Sequence, residues 1–257
     1  MPPRLPHSIL ADIAACIHFY TRVPAIRHAG ADGRAFAETQ WAAPVAGALV
    51  GLGVGIVAWL ALLIGLPASL AAIFALGAGV ALTGALHEDG LADMVDGFGG
   101  GKDREGKLAI MRDSHIGSYG VLALGLSLLA RWAALATLAA ASPLVVLIAA
   151  IAAHAASRAA LPALMTALPN ARSDGLSAGV GRIDPVTARI AAGLGLVFLL
   201  PGGFAFAFIT AVLAVALAFL IARLALSQIG GQTGDVLGAA QQIGEIAVLA
   251  AAAAILT

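Results

Sequence analysis

Between His87 and Gly100 the chain reads HEDGLADMVDGFGG and places four carboxylates, Glu88, Asp89, Asp93 and Asp96, within nine residues. Asp89, Asp93 and Asp96 stand at i, i+4 and i+7. On a helix they share one face, within an arc of roughly 60° and a length of about 10 Å. Glu88 points to a different face. Like charges at this spacing repel by about a few tenths of a kcal/mol, and no cation falls between them; the first is Lys102. A divalent cation relieves that repulsion, and hard oxygen ligands suit Mg²⁺ or Mn²⁺. Zinc fits less well, because His87 is the only nearby nitrogen ligand and no cysteine is available. The plainer alternative is a solvated acidic helix end paired with Lys102, Arg104, Lys107 and Arg112. The position of the cluster directly after an apolar run, with Gly90 and Gly97 inside it, favours the metal.

Further chemistry-bearing residues follow. The glycines at 99–101 end the acidic helix, and residues 105–113 read as a short amphipathic helix with Leu108, Ile110 and Met111 turned inward. Arg112 beside Asp113 is a candidate phosphate clamp, or an ordinary surface ion pair. The stretch GGQTGDVLGAAQQIGE, Gly230 to Glu245, reads as a glycine-rich turn leading into a helix. Its backbone N–H groups can cradle phosphate oxygens, with Thr233 beside them, and it carries one acid, Asp235. It lacks the Gly-Lys-Ser/Thr of a nucleotide-binding P-loop. Arg158 lies inside an apolar run, where a charge marks a functional candidate; it is expected to line a cavity for an anionic substrate. Arg131 ranks below it, as an internal pair or a snorkelling side chain. His154 reads as a helix–helix hydrogen bonder.

These groups need elements to hold them. The 257 residues are 61% hydrophobic with a mean hydropathy of +0.98, against roughly half apolar in globular domains. Continuous apolar runs without alternation predict an all-α, polytopic bundle of six to seven membrane spans in one domain over residues 1–257. The expected spans are 41–65, 68–86, 118–141, 144–168, 187–201, 203–223 and 243–257, with 8–20 as an interfacial or half-inserted helix. The N-terminus is a poor signal peptide, because Asp12 falls in its apolar stretch. The tight joints at 65–67, 142–143 and 201–203 place hairpin turns on one side of the bilayer. The other side receives 1–40, 87–117, 169–186 and 224–242, which carry ten of the fourteen basic residues; Arg189 and Arg223 face the same way. That bias assigns this side, and the active site with it, to the cytoplasm. Twelve of the fourteen acids lie in those segments outside the half-inserted helix; Asp12 falls within that helix and Glu245 close to the last segment. The balance of 14 basic and 14 acidic residues gives no pointer to nucleic acid. Abundant small residues permit homo-oligomeric packing without requiring it.

The order and spacing of five blocks carry a resemblance along nearly the whole chain: FYTRVP at 19–24, HEDGLADMVDG at 87–97, IMRDSHIGSYG at 110–120, SR at 157–158 and GGQTGDVLGAA at 230–240. The sequence resembles the cobalamin synthases, or adenosylcobinamide-GDP ribazoletransferases. It departs from them at Glu88, where a hydrophobic residue is usual, at His115, where arginine is usual, and at Gln242-Ile243, where Glu-Leu is usual. The resemblance implies a Mg²⁺-dependent reaction at a bacterial inner membrane. Adenosylcobinamide-GDP and α-ribazole, or its 5′-phosphate, give adenosylcobalamin, or its phosphate, and GMP. The expected metal ligands are Asp89, Asp93, Asp96 and Asp235. Arg112 and Asp113 join the aspartates as catalytic candidates, and His87, Arg158, Gln232, Thr233 and Asp235 form the substrate-contacting set. The aspartate spacing is also similar to that of CDP-alcohol phosphotransferases. A transporter reading instead expects ionisable residues at mid-span and internal repeats; a scaffold reading expects no Mg²⁺-dependent binding of a nucleoside diphosphate.

Overall fold

A computed structural model describes residues 9–23 and 35–257. Arg4, Arg27 and Arg34, counted above in the basic bias, lie outside the described residues. Among the described residues the regular structure is helical, apart from one isolated bridge between Asn170 and Gln232. Helix α1 covers Ile9–Tyr20 and a short α2 covers Phe36–Thr39, running on into α3, Ala43–Leu63. Then come α4 (Ala68–Thr83), α5 (Leu86–Gly100), α6 (Arg104–Ile110), α7 (Ser118–Ala141) and α8 (Pro143–Ala167). The chain closes with α9 (Leu176–Val180), α10 (Pro185–Leu199), α11 (Phe204–Ile229) and α12 (Gly234–Ile255). Six helices are long and apolar enough to cross a membrane: Phe36–Leu63, Ser118–Ala141, Pro143–Ala167, Pro185–Gly202, Phe204–Ile229 and Gly234–Ile255. The α4–α5 pair passes the same test jointly, but its two halves meet at 87°.

The bundle is thus the expected all-α polytopic one, with two local differences. The span expected at 68–86 breaks after Thr83, where Gly84 and Ala85 adopt φ of +64° and +58° in succession. Two left-handed residues end one helix and redirect the next; for alanine this conformation costs about 1–2 kcal/mol. The last span begins at Gly234 rather than 243. Thr233 caps it, its Oγ1 accepting from the Val236 amide at 3.3 Å, so most of the expected glycine-rich turn is helix.

Small residues set the packing. Helices α3 and α8 run antiparallel in close contact along Gly47, Gly51 and Gly55. A Cβ on Gly47 would lie 2.1 Å from the His154 carbonyl oxygen, and one on Gly51 2.3 Å from that of Ala150. Backbone-to-backbone approach of this kind supplies helix association where lipid removes the hydrophobic drive. Many large apolar side chains of α7 and α11, such as Leu122, Leu126, Phe208 and Phe219, face outward, as lipid contact requires.

Candidate functional site

Helices α5 and α12 bring the acidic groups together. Gly90 on α5 and Gly238 on α12 meet face to face. A Cβ on Gly90 would lie 3.1 Å from the Asp235 Cα, and one on Gly238 3.2 Å from the Gly90 Cα. The glycine expected to admit a ligand therefore admits a second helix, and the contact sets Asp89 and Asp93 opposite Asp235. Asp93 lies within electrostatic reach of Asp89, Asp235 and Asp96, and the cation acting on it is Arg172. Asp89 is exposed and Asp93 half-buried. Among the described residues nothing hydrogen-bonds to either.

A cavity of about 120 Å³ opens beside this contact. His87, Asp89, Arg172, Ser177 and Asp235 give it a polar wall, and Phe19, Tyr20, Leu161, Met165 and Leu237 an apolar one. It lies where the C-terminal end of α8, the N-terminal end of α12 and the 168–184 connection converge, the end of the bundle away from the three tight turns. The Tyr20 ring stacks on His87, centroids 6.0 Å apart at 12°. Tyr20 itself is fixed by its hydroxyl, which donates to Gln40 Oε1 at 2.7 Å.

Other expected site residues fall elsewhere. Asp96 turns to the start of α7 and accepts from the amides of Gly117 and Gly120 at 2.7 and 2.9 Å. Asp113 lies on the exposed surface, where hydrogen bonds from the His115 ring and amide hold its carboxyl below the usual carboxylate range. Arg112 is outside the cavity as well; its Nη2 reaches Asp174 Oδ1 and Oδ2 at 2.7 and 2.9 Å. That hydrogen bond keeps Asp174 below the usual range too. Gln232 and Thr233 are buried behind the wall. Gln232 accepts from Ser177 Oγ at 2.5 Å and donates to Asn170, and Thr233 donates to Asp235 Oδ2 at 3.1 Å. They shape the site through Ser177 and Asp235.

Arg158 belongs to a separate buried cluster. Its Nη1 donates to the His154 carbonyl at 3.1 Å, and His154 Nδ1 lies 3.2 Å from Glu245. Arg131, 2% exposed, bridges Glu88 at 2.8 Å and Glu245 at 3.3 Å. Gln241 donates to the second Glu245 oxygen at 2.7 Å. Glu88, set aside on helical spacing, is thus the counter-ion of Arg131, and Glu245 sits deep in the bundle rather than near the loops. Ionisable residues do occur at mid-span, but as paired groups around a void of about the size of one water.

Among the described residues no three His, Cys, Asp or Glu side chains converge tightly enough to hold a metal as they stand. The donor set nonetheless suits a hard divalent ion. Asp89, Asp93 and Asp235 offer only oxygen, lie within electrostatic reach of one another on two helices, and in the case of Asp89 and Asp93 have no side-chain hydrogen bond to give up. Arg172 and Ser177 carried no signal of their own in the sequence; Arg172 sits in an irregular connection and Ser177 in the short α9, and only the fold brings them to the aspartates.

The fold defines a polytopic helical membrane protein with a cavity at one end of the bundle whose wall combines carboxylates, an arginine and apolar surface. The match to the cobalamin-5-phosphate synthase family covers residues 12–253. Three relatives bear the name adenosylcobinamide-GDP ribazoletransferase. That of Mesorhizobium japonicum is 52% identical over 98% of this chain and 96% of its own. That of Bradyrhizobium diazoefficiens is 48% identical over 96% and 95%, and that of Azorhizobium caulinodans 47% identical over 94% and 94%. No solved structure matches the chain. The chain belongs to the cobalamin-5-phosphate synthase family.

Proposed function

We propose that this chain transfers the adenosylcobinamide-phosphate moiety of adenosylcobinamide-GDP to a ribose hydroxyl of α-ribazole, or of its 5′-phosphate, and releases GMP. The reaction is assigned to the cytoplasmic face of a bacterial inner membrane, on the basic bias of the long connections. The observation that carries the site is the placing of Asp89 and Asp93 on α5 within electrostatic reach of Asp235 on α12, beside a cavity whose wall holds Asp89, Asp235 and Arg172.

In this reaction the hydroxyl oxygen forms a bond to the cobinamide-linked phosphorus, the bond from that phosphorus to the bridging oxygen breaks so that GMP leaves, and the hydroxyl proton passes to a carboxylate of the cluster. Such chemistry asks for positioning and charge neutralisation more than covalent help. A bound Mg²⁺ supplies neutralisation of the diphosphate charge. Asp89, Asp93 and Asp235 are the residues that would hold it. The apolar wall of Phe19, Leu161, Met165 and Leu237 provides a seat for the less polar parts of the substrates.

The test is direct. Purified protein is incubated with adenosylcobinamide-GDP and Mg²⁺, with α-ribazole in one arm and its 5′-phosphate in another, and GMP is measured. Release in either arm is expected. No GMP in both arms, from folded protein in detergent or liposomes, rules the assignment out.

A further inference from the structure

We infer that Arg172 grips the diphosphate of the nucleotide-bearing substrate by exchanging its present contact with Asp235 for phosphate oxygens. The inference rests on the transferase reading above and names a residue that reading leaves unassigned. The Arg172 side chain is 15% exposed and stands in the cavity wall. Its Nη2 lies 3.3 Å from Asp235 Oδ2, and its Nε lies 3.8 Å from Asp174 Oδ1. Neither approach makes a hydrogen bond, and the buried Nη1 has no hydrogen-bond partner among the described residues.

This sets Arg172 apart from its neighbours. Arg104 donates to the carbonyls of Ile229 and Ala171, Arg112 to Asp174, Arg131 to Glu88 and Glu245, and Arg158 to His154. Arg131 and Arg158 also leave buried donors without a partner, but Arg172 alone of these five stands in the cavity wall and makes no side-chain hydrogen bond among the described residues. A buried donor without an acceptor is costly, and a guanidinium offers a planar fork that matches two phosphate oxygens at once.

The surroundings fit such an exchange. Arg112 holds Asp174, and Asp174 flanks the Arg172 Nε, so Arg112 acts on the cavity as a positioning residue. When Arg172 turns to phosphate it releases Asp235, whose carboxylate then faces Asp89 and Asp93 without a competing cation. Anion and divalent-ion binding are thereby linked through one ion pair.

The experiment measures binding of adenosylcobinamide-GDP without α-ribazole, by equilibrium dialysis of the full chain in detergent, together with steady-state kinetics. Arg172→Gln is expected to weaken binding by about 10–100-fold, the loss of a charge-assisted hydrogen bond, and to raise KM for this substrate while KM for α-ribazole stays constant. Arg172→Lys keeps the charge but not the fork and should recover only part of the affinity. Unchanged affinity in folded Arg172→Gln overturns the inference. If that variant does not fold, Arg172→Lys carries the test, and unchanged affinity there overturns it equally. In either case GMP release by the parent protein is unaffected, so the transferase reading stands or falls on its own assay.

Discussion

The carboxylate of Asp96 caps the helix that follows it by twenty-one residues, accepting from the amides of Gly117 and Gly120 at 2.7 and 2.9 Å. Neither residue at the start of α7 could supply a side-chain cap: Gly117 has none, and Ser118 is already helical. Asp96→Ala strands both amides and is expected to cost about 1–3 kcal/mol of stability, with Asp96→Asn costing less because one acceptor remains. Thermal unfolding in detergent reads this. A variant with parental stability but no turnover would instead place Asp96 on the substrate.

Asp93 has the opposite profile. It has no hydrogen bond to lose, so Asp93→Asn should leave the melting temperature where it was while reducing GMP formation on the order of 100-fold or more. Excess chelator should suppress the parent protein to a comparable degree, and added Mg²⁺ should restore it. Near-normal turnover by this variant, or turnover indifferent to chelator, defeats the metal assignment.

The Glu88–Arg131–Glu245 bridge is a folding requirement. Arg131→Met leaves two buried carboxylates without their cation, a loss of about 3–5 kcal/mol. Adding Glu88→Gln to that variant removes one orphaned charge and is expected to recover part of the loss, a coupling that a double-mutant cycle measures. Additive effects of the two substitutions would show that the pair contributes little.

Cys16 is the single cysteine and is fully buried, its Sγ donating to the Thr39 carbonyl at 3.2 Å. Burial pushes its thiol up to about 12. The raised value means that the reactive thiolate appears only as pH approaches 12; at pH 8 it is about one part in ten thousand. A thiol-directed alkylating reagent should therefore label the protein after denaturation and not before. Rapid labelling of the native protein at pH 8 would contradict this packing of α1 against α2.

Much of this was legible in the sequence, for identifiable reasons. Hydropathy runs report lipid contact directly, so the spans at 118–141 and 144–168 fall within a residue or two of α7 and α8. The i, i+4, i+7 spacing placed Asp89 and Asp93 on one helical face, and a glycine-rich block with an acid pointed to Asp235. Asp96 shares that spacing, yet its partner is a helix end that periodicity cannot foresee. Glu88 was discounted for facing away from the aspartates, and that other face is where Arg131 waits. Glu245 looked peripheral because α12 was expected to start late; a helix beginning at Gly234 carries it well below the surface. Arg172 was invisible because a lone arginine in a connecting segment has no pattern until the chain is folded.

Helix α12 serves two masters along one rod. Asp235 stands at its mouth, and Glu245, ten residues or about 15 Å further in, is tied into the charge cluster with Arg131 and His154. Sliding or rotating the rod to welcome a substrate would tear the anchor below. That flank of the chamber is held from below, and the 168–184 strap that bears Arg172 is tied to its upper end, where the Ala171 amide donates to the Gln232 carbonyl and the Gln232 amide to that of Pro169.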